Sequence, residues 1–222
     1  MKGESLARDI RQLLLPSNCC SCGELGNWWC DPCRARAEAA DPWAVSLGEA
    51  QIFVAGDYRD LAAAVRSHKD GGIRALRGFL VERLSVAVRA HGLSAPVLVP
   101  VPASRGSVRR RGTDPTADLA IETAAQLRGV AVPALRWSGR RRMQKKLNAE
   151  QRRQNMLKAL DADRQMLPTG GNVVVVDDVL TTGATMSAAL RALKVAGVSA
   201  SLGSVICATQ NGLTGNFCSS GP

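Results

Sequence analysis

The most informative stretch of the sequence is an apolar run that ends in two acids and a loop of small and hydroxyl-bearing residues. Four consecutive valines, Val173–Val176, are followed by Asp177 and Asp178. The valines predict a buried strand, and open α/β sheets bind their ligands at the carboxyl ends of such strands. The stretch is therefore a candidate ligand site, and its loop consists chiefly of Thr181, Thr182, Gly183, Ala184 and Thr185.

This arrangement suits a ligand that carries both a phosphate group and sugar hydroxyl groups. The loop leads directly into a predicted helix, so its free amides and the positive helix N-terminus would attract an anion. Gly183 lets the backbone approach the anion closely. Carboxylates repel phosphate but accept hydrogen bonds from hydroxyl groups. A sugar phosphate fits both features, whereas a solvated strand end without any ligand is the alternative.

Five of the seven cysteines fall between residues 19 and 33. The N-terminus is charged and does not resemble a secretory signal, so we expect a cytoplasmic protein in which disulfides are rare. Paired thiolates at Cys-x-x-Cys spacing can complete a tetrahedral structural zinc site with no open position for catalysis. A redox-active pair and simple buried thiols are the alternatives. The predicted zinc ligands are Cys19, Cys22, Cys30 and Cys33.

The excess of positive charge is confined to one segment. The chain has 29 Lys or Arg and 19 Asp or Glu, a net charge of +10, and residues 103–158 hold 14 of the basic and 4 of the acidic residues. This segment would attract a polyanion, either nucleic acid or a phosphate-rich ligand. We expect nucleic-acid contacts from Arg140, Arg141 and Arg142, although Trp137 is the only aromatic residue in the segment for base stacking. A solvated basic face is the plainer alternative.

Composition and periodicity together predict an α/β fold with a mostly parallel sheet flanked by helices. Hydrophobic residues make up 45% of the chain and charged residues 22%, and no apolar run is long enough to cross a membrane. Strand-like and helix-like segments alternate from about residue 51, which is typical of parallel strands joined by helical crossovers. We expect the chain to divide into three units. The first, over 1–45, contains a helix, a four-cysteine zinc ribbon and a linker. The second is the sheet domain over 46–208, and the third is a mobile tail over 209–222.

Several local predictions can be compared with the structure. Paired glycines, Pro positions and apolar spacing set the expected boundaries. We expect a helix over 4–15, a linker over 34–50, helices over 60–66 and 73–90, a loop over 68–72, a basic loop over 104–112, a helix from 148 to about 160, and a strand over 173–176.

The stretch from Val173 to Thr185 resembles the phosphoribosyl pyrophosphate (PRPP) loop of type I phosphoribosyltransferases. Together with the two Cys-x-x-Cys pairs, the chain resembles the ComF family, bacterial proteins linked to DNA uptake in natural competence, from about residue 13 to residue 208. One residue departs from the family pattern: Met143 stands where an acid commonly precedes Gln144, the first residue of the segment known in the family as the hood. The other agreeing segments are His68-Lys69, Val99–Pro102 followed by Arg109–Gly112, and the hood residues Gln144, Leu147, Arg152 and Asn155.

The resemblance implies a type I phosphoribosyltransferase-like domain with a small N-terminal zinc ribbon, and a role for each site residue. The loop over 181–185 would bind the 5-phosphate of PRPP, and Asp177 and Asp178 would bind the ribose hydroxyls directly or through Mg²⁺. Lys69 and a loop arginine, Arg109 or Arg111, would stabilise the departing pyrophosphate. The implied function is PRPP binding with phosphoribosyl transfer, in DNA uptake or nucleotide metabolism. The alternative is a non-enzymatic protein that binds single-stranded DNA or serves as a scaffold for DNA-uptake proteins.

Overall fold

The computed structural model describes residues 18–138, 159–168 and 172–209. Helices and strands alternate along these ranges. The helices are α1 (Asp31–Glu38), α2 (Tyr58–Lys69), α3 (Arg77–Arg89), α4 (Arg105–Arg111), α5 (Pro115–Gln126) and α6 (Ala184–Val195). The strands are β1 (Trp43–Leu47), β2 (Ala50–Val54), β3 (Val97–Pro100), β4 (Val130–Ala131), β5 (Leu135–Trp137), β6 (Leu160–Ala162), β7 (Val173–Leu180) and β8 (Leu202–Ala208).

Six of the strands form one sheet in the order β1-β2-β8-β7-β3-β4. β1 pairs antiparallel with β2, and the other pairings in this sheet are parallel. β5 and β6 form a separate antiparallel pair. Helices pack on both faces of the larger sheet, which confirms the predicted α/β class with a mostly parallel sheet. Within the described ranges, no helix is long and apolar enough to span a membrane.

The valines of β7 build the core on both faces of the sheet, because successive side chains of a strand point to opposite sides. Val173 and Val175 pack in one cluster with apolar side chains of α6, β5 and β6. Val174 and Val176 pack in the other, with side chains of α2, α3 and α5. The second cluster also contains Trp29 and the cysteine segment around it, so the N-terminal part of the described chain packs directly on a helix-covered face.

The linker predicted over 34–50 is wrong, because the chain there forms α1 and β1. α1 has few apolar residues, with only Cys33 and Ala37 buried, so the segment lacks the apolar periodicity that predicts a helix. β1 is stabilised by its antiparallel pairing with β2 over five residue pairs, from Trp43↔Val54 to Leu47↔Ala50. The expected division of the chain at residues 45 and 46 stays a prediction.

The basic loop predicted over 104–112 is also wrong in its conformation, because residues 105–111 form helix α4. The Ser104 side chain accepts a hydrogen bond from the Ser107 amide and so caps the helix, and Gly112 ends it with a φ of 79°. Serine residues also occur in loops, so the sequence alone did not predict this cap. The arginines are therefore displayed on a helix, where residues two positions apart point in directions about 200° apart.

The helix predicted over 60–66 is longer at both ends, because it begins after Asp57 and includes Lys69. The Asp57 carboxylate accepts a hydrogen bond from the Arg59 amide, so Asp57 is the N-cap in place of Asp60. His68 and Lys69, predicted in a loop, form the last turn of α2.

Leu160 belongs to β6 and does not end a helix. The predictions that lie outside the described residues are the helix over 4–15, most of the helix over 148–160, Arg140, Arg141 and Arg142, the hood residues 144–155 and the tail from 210.

Candidate functional site

Both acids of the predicted site lie within strand β7. The strand extends four residues beyond the valine run, and Leu180 still pairs with Ala208 of β8. Asp178 is buried and Asp177 is partly buried, at the carboxyl end of a strand in the middle of the sheet. Two acids can continue a buried strand only when other groups compensate their burial. The structure supplies such groups for each acid.

Asp178 forms an ion pair with Lys69, the last residue of α2. The distance between Lys69 Nζ and Asp178 Oδ2 is 2.5 Å, and the two side chains are 32% and 8% exposed, respectively. Burial by itself would lower the pKa of Lys69, but the Asp178 carboxylate outweighs it and raises that pKa. The lysine is therefore charged at neutral pH and neutralises Asp178.

Asp177 has a different environment. Its Oδ1 accepts a hydrogen bond of 2.8 Å from the main-chain amide of Asp178. Burial, together with repulsion from Asp178, raises the pKa of Asp177 well above its usual range. The two adjacent acids are thus electrostatically unequal, because Asp178 has a cationic partner and Asp177 has an amide.

The loop after β7 turns sharply into helix α6 through Gly183. Gly183 has a φ of 73°, in the left-handed region that favours glycine, and it stands at the N-cap position of the 12-residue helix. A Cβ atom at this position would also lie 2.8 Å from Leu47 Cδ1, so a larger residue would meet both backbone strain and a clash.

Hydroxyl groups line the same loop. Thr181 and Thr182 are exposed, whereas Ala184 and Thr185 are partly buried. The Thr182 hydroxyl accepts a long hydrogen bond of 3.5 Å from the Ala184 amide. The loop therefore places two exposed hydroxyl-bearing side chains just before the N-terminus of α6.

Arg111 of α4 reaches the end of α2. Its Nη1 lies 2.7 Å from Asp70 Oδ1 and donates a longer hydrogen bond of 3.4 Å to the Lys69 carbonyl oxygen. The side chain of Arg111 is 14% exposed, and its Nε is a buried donor without a hydrogen-bond partner. Arg109 is exposed and, two positions away on the helix, points in another direction. Of the two predicted arginines, the structure therefore brings Arg111 to Lys69.

Asp70 is a residue that the sequence analysis missed. It holds Arg111 against the end of α2, yet it stands in a polar turn before two glycines, where an acid is usually solvated. The sequence contains no signal for this contact, because Asp70 and Arg111 are 41 positions apart.

The connection between β3 and α4 is held by hydrogen bonds to the chain around Ala103. The indole Nε1 of Trp137 donates to the carbonyl oxygens of Pro102 and Ala103, at 2.9 and 3.1 Å. The amide of Ala103 donates to Asp114 Oδ2 at 2.7 Å. Trp137 is the aromatic residue of the basic segment that could stack on bases, but its polar edge contacts the protein. It fixes the point at which the chain leaves β3 for the basic helix.

The four predicted zinc ligands lie together. Their Sγ atoms are all within 4.8 Å of one another, and the Sγ atoms of Cys22 and Cys30 are 3.5 Å apart. Four sulfurs bound tetrahedrally at about 2.3 Å from zinc would be about 3.8 Å apart, so the cluster fits a zinc ion. The Cys30 amide also points at Cys19 Sγ, at 3.5 Å, as donors around metal thiolates commonly do. Trp29 packs beside the cluster against Phe79 of α3, with ring centroids 5.5 Å apart.

Comparison with known proteins agrees with this architecture. The family model described as the phosphoribosyl transferase domain matches residues 116–215, a range that includes β7, its two acids and the loop before α6. The chain therefore contains a phosphoribosyltransferase domain of type I, and a cluster of four cysteines precedes it. No curated protein matches the sequence significantly.

The solved structures to which the chain is similar include adenine phosphoribosyltransferases. One of them shares 15% identity with this chain, covers 80% of it and 90% of its own length, and has a TM-score of 0.44. The enzyme from Thermoanaerobacter pseudethanolicus shares 19% identity over 62% of this chain and 82% of its own, with a TM-score of 0.40. The enzyme from Saccharomyces cerevisiae shares 15% identity over 79% of this chain and 88% of its own, also with a TM-score of 0.40.

Proposed function

We propose that this protein binds PRPP at the carboxyl end of β7 and transfers its phosphoribosyl group to a nucleophile, with release of pyrophosphate. One observation carries the proposal: Asp177 and Asp178 lie near the end of β7, and after four intervening residues Gly183 is the N-cap residue of α6, so groups for the ribose hydroxyls and for the 5-phosphate follow each other along the chain. The match to the phosphoribosyl transferase domain over residues 116–215 supports it.

Each part of PRPP has a matching group in the site. The exposed residues Thr181 and Thr182, buried Gly183 and the first turn of α6 would bind the 5-phosphate through amides and hydroxyls. Asp177 and Asp178 would accept hydrogen bonds from the two ribose hydroxyls. Carboxylate oxygens are also the donors that Mg²⁺ prefers, so the same two acids would hold an ion that neutralises phosphate charge.

The reaction breaks the bond between ribose C1 and the pyrophosphate oxygen, and a bond from C1 to the incoming nucleophile replaces it. Positive charge develops on the ribose and negative charge on the leaving group. Carboxylates near the ribose stabilise the first, and the cations Lys69 and Arg111 would stabilise the second. Arg111 is nearly buried, and its guanidinium lies against the end of α2, where its charge would act on an anion placed beside Lys69.

The biological setting is part of the proposal. A phosphoribosyltransferase domain preceded by a cluster of four cysteines is the combination on which the resemblance to the ComF family rests. We propose that the four cysteines bind zinc and that the protein acts in DNA uptake or in nucleotide metabolism.

The experiment is titration calorimetry with PRPP, with and without Mg²⁺, on the wild type and on the double variant Asp177→Asn with Asp178→Asn. We expect the wild type to bind and the double variant to lose at least about tenfold in Mg²⁺-dependent affinity, because amides neither carry charge nor hold the ion. A matched control, Glu49→Gln with Asp161→Asn, removes the same charge from exposed positions. Absence of PRPP binding by the wild type would refute the function, and an unchanged affinity of the double variant would refute the site.

A nucleic-acid-binding function is the second candidate, and the charge of residues 103–158 favours it. Of the arginines on α4, Arg109 and Arg110 are exposed, whereas Arg111 is nearly buried. We expect single-stranded DNA to bind with an affinity that falls with salt, by a log–log slope of about −0.7 for each phosphate neutralised.

Fluorescence anisotropy with a labelled oligonucleotide across a salt series tests this candidate. Replacing Arg140, Arg141 and Arg142 with glutamine should reduce the slope by about two and leave PRPP affinity within a few-fold. If the wild type does not bind at low salt, the nucleic-acid function is excluded.

A further inference from the structure

The ion pair between Lys69 and Asp178 gives both residues a partner other than the one that the proposed function requires. In that function Asp178 faces the ribose hydroxyls and Lys69 faces the pyrophosphate. In the structure, Lys69 Nζ and Asp178 Oδ2 are 2.5 Å apart and bind each other. The ribose position at Asp178 is therefore occupied by a side chain of the protein itself.

The burial of Asp178 makes this contact costly to break without compensation. Its side chain is 8% exposed, so a carboxylate that lost the Lys69 ammonium would be left with little access to water. The Lys69 side chain is only 32% exposed, so water compensates the loss of Asp178 in part and an anion would stabilise the displaced ammonium group further. A ligand that takes the place of Lys69 is therefore favoured when it offers the ammonium group a new anionic partner.

The geometry allows the lysine head to move while its backbone stays in place. The Lys69 carbonyl oxygen accepts a hydrogen bond from Arg111, and Asp70, the next residue, pairs with the same guanidinium. The four-carbon lysine stem is flexible, and its side chain is 32% exposed. The ammonium group can thus turn from Asp178 toward an anion placed at the end of α4, where that anion also offsets the repulsion between Lys69 and Arg111.

We propose that Lys69 is a specificity-determining residue: it closes the ribose position of Asp178 in the free protein, and a pyrophosphate group on the ligand opens that position by drawing Lys69 away. Ribose 5-phosphate carries the same phosphate and hydroxyl groups as PRPP but no pyrophosphate, so it leaves Lys69 without a new partner. The site consequently selects the activated ribose over its hydrolysis product. This inference rests on the proposed function and goes beyond it, because it assigns the selectivity to one ion pair.

The test compares the affinities of PRPP and ribose 5-phosphate for the wild type and for Lys69→Met, which keeps an unbranched side chain and removes the charge. We expect the variant to bind PRPP at least about tenfold more weakly and ribose 5-phosphate about three- to tenfold more tightly, because Asp178 has then lost its hydrogen-bond donor and a ribose hydroxyl group supplies one. Lys194→Met is the matched control, since Lys194 pairs only loosely with Glu49 at 3.8 Å and is 79% exposed. It should change neither affinity.

A second measurement needs no variant. In the wild type, inorganic pyrophosphate should raise the affinity of ribose 5-phosphate at least about threefold, because it draws Lys69 away from Asp178. The same coupling should disappear in Lys69→Met, which separates the lysine from any effect of Mg²⁺ shared by the two ligands.

The outcomes distinguish this inference from the proposed function. If the wild type binds neither PRPP nor ribose 5-phosphate, both fail. If the wild type binds PRPP but Lys69→Met binds ribose 5-phosphate equally or more weakly, the lysine only orders Asp178 and the inference alone is overturned. Persistent coupling by pyrophosphate in the variant would overturn it as well.

Discussion

Replacing Arg83 with methionine should lower the free energy of unfolding by about 2.5–4 kcal/mol. Arg83 lies on α3, is 4% exposed, and donates hydrogen bonds to the main-chain carbonyl oxygens of Glu38, Ala40 and Ala55. Glu38 ends α1 and Ala40 precedes β1, whereas Ala55 follows β2. One buried guanidinium therefore joins the chain after the cysteine cluster to the sheet.

The magnitude follows from the burial of the three carbonyl groups. Ala55 is fully buried, so loss of its charged donor costs about 1.5–3 kcal/mol. Ala40 is partly buried and contributes about 1 kcal/mol, while Glu38 is exposed and its carbonyl can bind water instead. Methionine fills much of the space of the arginine stem, so the change opens little cavity.

Urea unfolding monitored by circular dichroism measures the effect, with the free energy taken from the linear dependence on urea. Arg89→Met is the matched control on the same helix, since Arg89 and its partner Glu82 are 51% and 54% exposed. An exposed pair of this kind contributes about 0.5 kcal/mol or less. If the two variants are equally stable, the Arg83 carbonyl contacts do not contribute, and the reasoning is refuted.

Three further predictions concern other parts of the chain. Protein purified without added metal should contain about one zinc per chain, and less than about half an equivalent of zinc, with iron also absent, contradicts this. Chelation should separate Trp29 from Phe79 and expose it to water, which shifts its fluorescence to the red, while the sheet signal in circular dichroism remains. Gly183→Val should weaken PRPP binding, measured by calorimetry, because the left-handed φ of Gly183 and its contact with Leu47 disfavour a branched side chain. An affinity equal to that of the wild type would contradict the proposed phosphate binding by this loop. Burial lowers the pKa of His91, so the native state binds fewer protons than the unfolded chain, and the free energy of unfolding should fall as the pH drops below about 6.5. Urea unfolding at several pH values should show a smaller fall for His91→Gln than for the wild type. An equal fall in both proteins would contradict the role of His91.

The local pattern around β7 could be predicted from the sequence because its information is local. Four valines, two acids and a glycine before a helix specify strand, loop and helix in one short stretch, and the structure has this order from Val173 to Thr185. The spacing of the cysteines likewise predicted a cluster, and the four Sγ atoms lie within 4.8 Å of one another. In both cases neighbours in sequence are neighbours in space.

Other elements could not be predicted because their stability comes from distant parts of the chain. α1 has little apolar surface of its own and is tied to the sheet through Arg83, 45 positions from Glu38. β1 depends on its pairing with β2, and α4 on a serine cap that also occurs in loops. Weak local preference was interpreted as loop or linker, whereas tertiary contacts decided otherwise.

The sequence by itself determined which residues could bind a sugar phosphate and where along the chain they stand. Only the tertiary structure decided which of them contact each other. Lys69 and Asp178 are 109 positions apart, and nothing in the spacing of either residue shows that the ends of α2 and β7 meet at one edge of the sheet. Likewise, Arg111 contacts the end of α2 and Arg109 does not, because the two side chains leave helix α4 in different directions. The physical reason is that chemical type is a property of one residue, whereas an ion pair also requires that the packing of the sheet and its helices bring two charges together.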